Sequence, residues 1–393
     1  MIQYLVLTPR DPLIARDGRP FGIGQGYRMR SLDWPYPSVL AGALRTLLGK
    51  LCGGEFTEEM VDLLKRVESA GPLPLVAETL YFPAAKDSVL CEAASDNHSM
   101  NGTKVMPLRP LRLGPGTKIC DLPDGLTPVA VTEEAKPAFA PDFWSAAKMY
   151  SWLMDTEGRE FEPPSDNPNE GINYLCAPKK DERTHVRVNR ETGAAEESMI
   201  FMTVGLDCSS KYSVDGITLS ARVEAEDKFA EALNGLDMLH PMGGERRLVH
   251  WRAKRAVDPW ELPTLVRRAA SKNLERLRLV LATPALFKDG WKPDWLNNRL
   301  EGCPPNVDTK LRLVSACIDR WKPLSGWSLE AGRVGPKEVR RLVPAGSVYF
   351  FEVVTGDPQT LIDKLWLRSV SDDEQDRRDG FGLALWGSWN YAN

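Results

Sequence analysis

Residues 8–49 read TPRDPLIARDGRPFGIGQGYRMRSLDWPYPSVLAGALRTLLG, and they indicate the fold and chemistry of the chain more clearly than any other stretch. They link a short apolar strand, residues 2–7, to a helix predicted over residues 38–48. Between the two lie Arg10, Arg16, Arg19, Arg28 and Arg30, interleaved with Gly18, Gly22, Gly24 and Gly26. Guanidinium groups offer forked donors for phosphate oxygens, glycines allow close backbone approach, and a helix start leaves free N–H groups. The stretch therefore predicts a loop that holds a phosphodiester chain.

The composition is that of an ordinary globular protein. The chain has 393 residues, of which 42% are apolar and 26% charged, and this length favours two or three domains. It has no apolar run of about 18 residues, and its first residues lack the features of a secretory signal. The seven cysteines are scattered without a CxxC spacing, so no zinc site is predicted and a reducing, cytoplasmic location is expected.

The charge is unevenly distributed. The net charge of −4 argues against non-specific binding of nucleic acid, because proteins of that class are basic overall. The first 50 residues nevertheless carry seven cationic side chains against three aspartates, and residues 245–255 (ERRLVHWRAKR) form a second basic block. Local basic patches on an acidic chain favour a specific RNA site inside an assembly.

The C-terminal part of the sequence predicts a βαββαβ unit, the ferredoxin-like split motif. Its predicted elements are a strand at 277–282, a helix at 309–319, strands at 320–330 and 341–353, a helix at 358–367 and a strand at 382–386. The strand ending at 353 is rich in β-branched and aromatic residues, and Asp357-Pro358 is a helix start signal.

The N-terminal part predicts the same order with insertions. Its elements are a strand at 2–7, a helix at 38–48, a hairpin of 185–189 and 199–207 around the turn 190–193, a strand at 217–224, a helix at 227–236 and a strand at 246–254. A loop-rich insertion is predicted over about 56–173, including a helix at 141–154. The predicted fold is therefore α+β, with two ferredoxin-like domains at 1–258 and 276–393.

Catalytic patterns are sparse. The four histidines, His98, His185, His240 and His250, show no metal-ligand spacing. The acidic residues between 372 and 379 are interspersed with Arg377 and indicate a solvated loop. No nucleophile motif or Walker lysine is present. We therefore predict a binding subunit with no catalytic residue, no metal and no cofactor.

Six segments, taken in order, carry a resemblance to a known family. They are 11–22 (DPLIARDGRPFG), 34–46 (WPYPSVLAGALRT), 185–201 (HVRVNRETGAAEESMIF), 243–247 (GGERR), 340–352 (RRLVPAGSVYFFE) and 379–387 (DGFGLALWG). Together they resemble the RAMP superfamily, and within it the family of third subunits of the Cmr effector complex, the type III-B CRISPR RNA-guided assembly. The resemblance leaves mainly residues 56–173 and 256–275 uncovered.

This resemblance implies a function and a set of contacts. Such subunits have two ferredoxin-like domains, clamp the 5′ handle of the guide RNA (crRNA), and contact the large polymerase-like subunit and the backbone RAMP subunits in antiviral defence. It implies RNA contacts for Arg16, Arg19, Ser38, Gly42, Arg45, Arg187, Arg190, Arg246, Arg247, Gly380 and Gly382. Arg28 and Arg30 of the arginine–glycine loop complete the predicted RNA-binding set.

Other interpretations stay open at this point. Gly42 could serve tight helix packing, Arg45 could pair with an internal carboxylate, and Glu245 could be the partner of Arg246. A RAMP-type endoribonuclease that cuts the precursor guide RNA is the alternative function, with a histidine as acid or base. A third possibility is a scaffold whose arginines meet protein carboxylates.

Overall fold

A computed structural model describes most of the chain. The described residues are 1–16, 28–92, 103–114, 121–131, 136–138, 140–154, 159–161, 173–210, 213–254, 260–270, 275–328 and 334–392. They form a mixed α+β fold in which the sheets are antiparallel. The α+β part of the predicted fold is therefore confirmed, and the two ferredoxin-like domains stay a prediction. None of the described helices is long and apolar enough to cross a membrane.

The helices are short, and along the chain they lie between groups of strands. They are α1 (Pro37–Leu51), α2 (Glu58–Arg66), α3 (Ala146–Met154), α4 (Ala230–Asn234), α5 (Thr264–Ala270), α6 (Pro358–Leu365) and α7 (Glu374–Asp379). Two 3-10 turns, Asp227–Phe229 and Gly244–Arg246, complete the helical segments of the described residues.

Strands dominate the described residues. The first twelve are β1 (Ile2–Pro9), β2 (Glu68–Val76), β3 (Thr79–Pro83), β4 (Ser88–Glu92), β5 (Thr103–Pro107), β6 (Arg109–Pro110), β7 (Val129–Ala130), β8 (Phe143–Ser145), β9 (Arg159–Phe161), β10 (Tyr174–Leu175), β11 (Lys179–Val188) and β12 (Ala195–Asp207). The others are β13 (Thr218–Glu224), β14 (Asp237–Pro241), β15 (Leu248–Lys254), β16 (Arg276–Leu281), β17 (Glu301–Gly302), β18 (Lys310–Cys317), β19 (Lys322–Leu324), β20 (Trp327–Ser328), β21 (Gly335–Pro336), β22 (Arg340–Leu342), β23 (Val348–Thr355) and β24 (Ala384–Ser388).

The chain divides into two compact units whose segments alternate along the sequence. Unit 1 comprises Met1–Pro72, Ala177–Arg255 and Lys322–Arg341, and unit 2 comprises Leu73–Cys176, Ala256–Trp321 and Leu342–Asn393. The domains predicted from the sequence, 1–258 and 276–393, are continuous segments, whereas these units are interleaved along the chain. The two domains stay a prediction.

Unit 1 is organised around the first strand. β1 pairs antiparallel with β13 on one side and with β15 on the other, and β14 pairs with β15. Leu5 and Leu7 of β1 and Trp251 of β15 have no exposed surface. The buried positions of α1 recur every three or four residues, which is the pattern of a helix that covers a core on one face.

A long hairpin is the second feature of unit 1. β11 and β12 pair antiparallel from Lys179↔Asp207 to Val188↔Ala195, with His185 opposite Phe201. Gly193 has a φ of +66° in the connecting turn, a conformation that suits glycine. The predicted hairpin and its turn are confirmed, and the strands are longer than predicted.

Unit 2 contains a five-stranded sheet in the order β17-β18-β23-β16-β24. β23 carries the aromatic run Tyr349, Phe350 and Phe351, all buried. The side chain of Asp357 accepts hydrogen bonds from the first amides of α6, with Pro358 at the first turn, so this helix begins where the sequence predicts it. A second group of strands in this unit has the order β10-β8-β3, and β3 pairs with Leu75 and Val76 at the end of β2.

Four sequence-based predictions about secondary structure were wrong. Residues 374–379, predicted as part of a solvated loop, form helix α7, because the side chain of Asp373 caps its first amides and Asp376 is buried. Residues 310–317, within the helix predicted at 309–319, form strand β18, because their apolar spacing also fits the alternation of a buried strand. The described part of 56–173 contains α2, α3 and several strands instead of being loop-rich, and β2 is buried at every position except Glu68. Residues 143–145, predicted as part of a helix, form β8.

Candidate nucleic-acid interface

The base of the arginine–glycine loop is held against the hairpin within unit 1. Leu13 and Leu206 exchange backbone hydrogen bonds of 3.0 and 2.6 Å, and the amide of Met29 donates to the carbonyl of Met202 at 2.9 Å. Strand β12 therefore fixes both ends of the loop. Residues 17–27, including Arg19, lie outside the described residues.

A small apolar cluster explains why the arginines at the loop base face outward. Ile14, Met29 and Val204 pack together and are almost completely buried. Because Met29 points inward, its neighbours Arg28 and Arg30 are exposed. The loop base thus presents guanidinium groups on a rigid support.

The GGERR segment docks on the same loop base. The amide of Gly244 donates to the carbonyl of Ile14 at 2.8 Å. A Cβ atom on Gly243 would overlap that carbonyl oxygen, and one on Gly244 would lie 2.8 Å from Cγ2 of Ile14. Both glycines are required for this close approach. The contact places the turn that carries Arg246 against Ile14, and the exposed Arg16 follows Ile14 by two residues in the sequence.

The turn itself has an unusual backbone. Gly243, Glu245 and Arg246 have φ values of +77°, +56° and +51°. Left-handed non-glycine residues cost on the order of 1–3 kcal/mol each and tend to occur at functional sites. Arg246 is exposed, whereas Nε of Arg247 is buried and has no hydrogen-bond partner among the described residues. An unpartnered buried donor of this kind calls for an acceptor that the described residues do not supply.

A third group of polar residues lies on β14 and β15. Nε2 of His250 is 2.5 Å from Oδ1 of Asp237, and Nη2 of Arg10 is 3.4 Å from Nδ1 of the same imidazole. Asp11 accepts a hydrogen bond of 2.9 Å from the amide of Leu248. Arg10 is therefore held over β15 beside an exposed arginine of that strand, Arg252.

The hairpin carries cationic side chains with different partners. Arg28 pairs with Glu182 on β11, and Arg187 pairs with Glu196 at 3.1 Å. Arg190 is exposed in the turn, and no ion pair involving it occurs among the described residues. The imidazole of His185 is also engaged, because it stacks on Phe201 with ring centroids 5.1 Å apart.

The residues predicted on α1 have distinct environments. Gly42 is exposed and has no atom within 4 Å of an added Cβ, so tight helix packing does not explain it. Arg45 donates to the carbonyls of Leu64 at 2.9 Å and Val67 at 3.0 Å. Its guanidinium therefore satisfies carbonyl groups at the end of α2, which accounts for this arginine structurally. Ser38 is half-buried in the first turn of α1.

The two terminal-loop glycines lie in unit 2 and have internal roles. Gly380 ends α7 with a φ of +91°, and its amide donates to the carbonyl of Arg377 at 3.1 Å. The amide of Gly382 donates to the carbonyl of Pro284 at 2.8 Å. Because both amides are used and both residues are buried, they do not serve as open backbone donors, and they are not part of the interface proposed below.

The structure adds Arg10 and Arg252 to the predicted set. Both lie in the basic blocks visible in the sequence, but the pairing of β1 with β15 was needed to bring the blocks together. Within the described residues, no group of three or more His, Cys, Asp or Glu side chains could hold a metal ion.

Comparisons with known proteins give one match at the level of sequence families. The model of the family described as CRISPR-associated protein (Cas_Cmr3) matches residues 5–389. No curated protein sequence matches the chain.

Solved structures give more distant similarities. A chain in the cryo-EM structure of the Type III-B Cmr-beta bound to cognate target RNA and AMPPnP is 14% identical, with a TM-score of 0.45; the match covers 92% of this chain and 88% of that one. A chain in the crystal structure of the Csm3-Csm4 subcomplex of the type III-A CRISPR-Cas interference complex is 12% identical, with a TM-score of 0.40; the match covers 90% and 94%.

Proposed function

Because the chain belongs to the Cas_Cmr3 family of CRISPR-associated proteins, we propose that it is a non-catalytic RNA-binding subunit that holds the 5′ handle of the guide RNA in a type III-B effector complex. The match to the family model confirms the family assignment that was made from the sequence motifs. The proposal includes contacts with the large polymerase-like subunit and the backbone subunits, and a cytoplasmic location.

One observation carries this proposal: the GGERR turn is docked on Ile14 beside Arg16, with a left-handed backbone at Arg246. The chain keeps a strained backbone in a place where it presents cationic side chains from two distant segments. Guanidinium forks match the geometry of phosphate oxygens. A phosphodiester chain is the ligand that this arrangement suits best.

The proposed roles follow from exposure and partners. Arg16, Arg30 and Arg246 are exposed and contact phosphates, while Arg247 uses its buried Nε to fix one acceptor. Arg19 is assigned to the same loop by its position in the sequence. Gly42 leaves open space above α1, where an RNA backbone can approach. The handle is expected to be single-stranded, because unpaired nucleotides expose the edges that proteins read.

The same proposal includes two ferredoxin-like cores. In unit 2 the strands follow the order β18-β23-β16-β24, which is second, third, first and fourth along a βαββαβ chain. The stretch 282–309, which links β16 to β18, contains no helix. Unit 2 therefore has an irregular connection where the motif has its first helix. In unit 1, β13, β1 and β15 occupy the positions of the third, first and fourth strands.

Equilibrium binding tests the proposed interface. We expect Arg246→Ala combined with Arg247→Ala to weaken binding of a fluorescent handle RNA. The slope of the plot of log K against the logarithm of the salt concentration, called the salt slope below, should become shallower by about 0.7 per lost phosphate contact. Arg66→Ala is the matched control, because Arg66 is a unit 1 arginine at the end of α2 that pairs with Glu226. Equal slopes for wild type, control and double variant would contradict the proposal.

The alternative function, a metal-independent endoribonuclease, is favoured by one observation, the His250–Asp237 pair beside Arg10. However, Nε2 of His250 is hydrogen-bonded to Asp237, and Nδ1 faces Arg10. Neither nitrogen is therefore open to a 2′-hydroxyl. Incubation with a repeat-bearing transcript in EDTA is the test. Site-specific cleavage that is lost in His250→Ala or His185→Ala would replace the binding proposal.

The scaffold alternative makes a different prediction. If the loop arginines met protein carboxylates, guide RNA would not crosslink to residues 10–30 in the assembled complex. Crosslinks to this segment would favour the RNA clamp.

A further inference from the structure

Unit 2 carries an arginine–aromatic cluster that the proposed interface does not use. The guanidinium carbon of Arg112 lies 5.0 Å from the ring centroid of Tyr391. That of Arg276 lies 5.7 Å from the same ring and 5.9 Å from the ring of Trp389. The two rings contact each other edge to face, with centroids 4.8 Å apart. Cation–π contacts of this kind orient guanidinium planes without using their N–H groups.

A single carboxylate organises the cluster. Oε1 of Glu352 accepts a hydrogen bond of 2.8 Å from the hydroxyl of Tyr391, and Oε2 pairs with Arg312. Glu352 lies on β23 directly between Arg276 of β16 and Arg312 of β18 in the sheet register. Both carboxylate oxygens are therefore engaged by groups other than Arg112 and Arg276.

The cluster has an excess of positive charge. Among the described residues, neither Arg112 nor Arg276 forms an ion pair with a carboxylate. Glu301 also lies opposite Arg312 in the sheet register, but it pairs with Lys310 at 2.7 Å, so four cations face two acids. Burial opposes ionisation of Glu352, yet hydrogen bonds from Arg312 and Tyr391 hold the pKa of this carboxyl below its usual value. Burial and the bond to Glu352 raise the pKa of Tyr391 to about 12. At neutral pH the tyrosine is uncharged, and two positive charges remain without compensation.

The polypeptide around the cluster is fixed in place. The amide of Ala392 donates to the carbonyl of Pro110 at 3.0 Å, which ties the last residues to the segment that carries Arg112. Nε1 of Trp389 donates to the carbonyl of Phe351 at 2.9 Å, and its ring is buried. The aromatic platform is thus rigid, and Arg112 is exposed above it.

We propose that Arg112, Arg276 and Arg312 form a second RNA site, which binds phosphates of a single strand independently of the interface in unit 1. Arg276 and Arg312 lie on strands separated by β23, so their backbones are about 10 Å apart. Cations spread over such a distance suit a polyanion that presents one charge per nucleotide, whereas one carboxylate of a peptide engages one guanidinium fork. The exclusive use of arginine and the partly exposed phenol ring of Tyr391 also favour RNA.

The test is the salt dependence of binding of the full-length chain to a fluorescent oligouridine. Arg112→Ala is expected to lower the slope of log K by about 0.7, and Arg112→Ala with Arg276→Ala by about 1.4. Arg320→Ala removes an exposed arginine elsewhere in unit 2 and is expected to leave the slope unchanged. Arg112 makes no hydrogen bond or ion pair among the described residues, so the single variant keeps the proposal testable if the double variant fails to fold.

The outcomes separate this site from the proposed interface. With Arg246→Ala and Arg247→Ala in the background, loss of Arg112 should lower the slope by the same further amount, because the two sites are independent. Oligouridine carrying 4-thiouridine should still crosslink to residues 384–393 in that background. An unchanged slope in both Arg112 variants would overturn the proposal. The proposal would also be overturned if the Arg112 variants lost binding to polyglutamate but kept their binding to RNA, because that result would indicate an acidic protein partner.

Discussion

Gly243 and its neighbours illustrate how single residues set up the proposed interface. The residue has a φ of +77°, and its α-carbon faces the carbonyl of Ile14 without space for a side chain. This contact joins positions more than 200 residues apart in sequence and holds the turn that carries Arg246 against Ile14, which lies two residues before Arg16. The arginines can act together only because a glycine permits the approach.

Gly243→Ala should both destabilise unit 1 and weaken RNA binding. The added methyl group overlaps the Ile14 carbonyl and also requires a positive φ, so we expect a loss of roughly 2–3 kcal/mol in the free energy of unfolding. Gly193→Ala is the matched control, because Gly193 has a φ of +66° but nothing within 4 Å. Its cost should be limited to about 1 kcal/mol. Equal effects in denaturant titrations would show that the Ile14 contact is unimportant.

Gly42→Ala should have opposite effects on stability and binding. At an exposed position inside a helix, alanine is more favourable than glycine by roughly 0.5–1 kcal/mol, and no atom obstructs its Cβ at Gly42. The thermal midpoint should therefore rise. If RNA passes over α1, the methyl group should reduce handle affinity; unchanged affinity would remove Gly42 from the interface.

At the scale of elements, Arg45 connects α1 to α2. Arg45→Ala should destabilise the chain by about 1.5–3 kcal/mol, because carbonyl groups at the end of α2 lose hydrogen bonds from a charged donor. The salt slope of RNA binding should stay unchanged. Thr46→Ala is a neighbouring control, since Thr46 is exposed and donates only to the carbonyl of Gly42. A fall in the salt slope for Arg45→Ala alone would return Arg45 to the RNA-binding set.

The elements that could be predicted from the sequence have strong local signals. Helix α6 follows Asp357-Pro358, and the hairpin has a glycine in its turn. Strand β18 could not be predicted, because its apolar residues fit both a helical and an alternating pattern and only pairing with β23 decides between them. Strand β2 contains Gly71 and two prolines, which are loop signals in isolation.

The candidate site was predictable in part. The two arginine-rich segments are visible as charge clusters, and the family motifs select Arg16 and Arg246. Their meeting point depends on the Gly244–Ile14 contact, which links distant segments and leaves no local signal. For the same reason the sequence did not indicate that the amides of Gly380 and Gly382 are already used, or that Tyr391 supports two arginines.

On the scale of the whole molecule, unit 2 contains a buried ion pair on which its stability depends. Arg278 is 1% exposed and Asp87 0%, and Nη1 of the arginine is 2.5 Å from Oδ2 of the aspartate. Trp152 completes the network by donating from Nε1 to Oδ1 of Asp87 at 2.8 Å. All three residues lie within unit 2.

Breaking this pair should be costly. Arg278→Met leaves Asp87 buried without its cation, so we expect a loss of about 3–5 kcal/mol in the free energy of unfolding. The double variant Arg278→Met with Asp87→Asn removes the uncompensated charge and should recover part of that loss. Urea titrations of the three proteins check this. A single variant as stable as wild type would show that the network does not contribute.

The charge distribution relates both proposals to one property of the chain. A net charge of −4 should oppose indiscriminate binding of nucleic acid, whereas both proposals expect local attraction at the arginines of unit 1 and at the Tyr391 cluster. RNA binding should therefore be specific and strongly dependent on salt.

The most direct test of the central claim is photocrosslinking in a reconstituted effector complex, with 4-thiouridine placed in the 5′ handle of the guide RNA. The account predicts crosslinks from the handle to residues 10–30 and 243–252 of this chain, with loss of the second set in the Arg246→Ala, Arg247→Ala variant. Handle crosslinks confined to another polypeptide, with both segments unmodified, would contradict it.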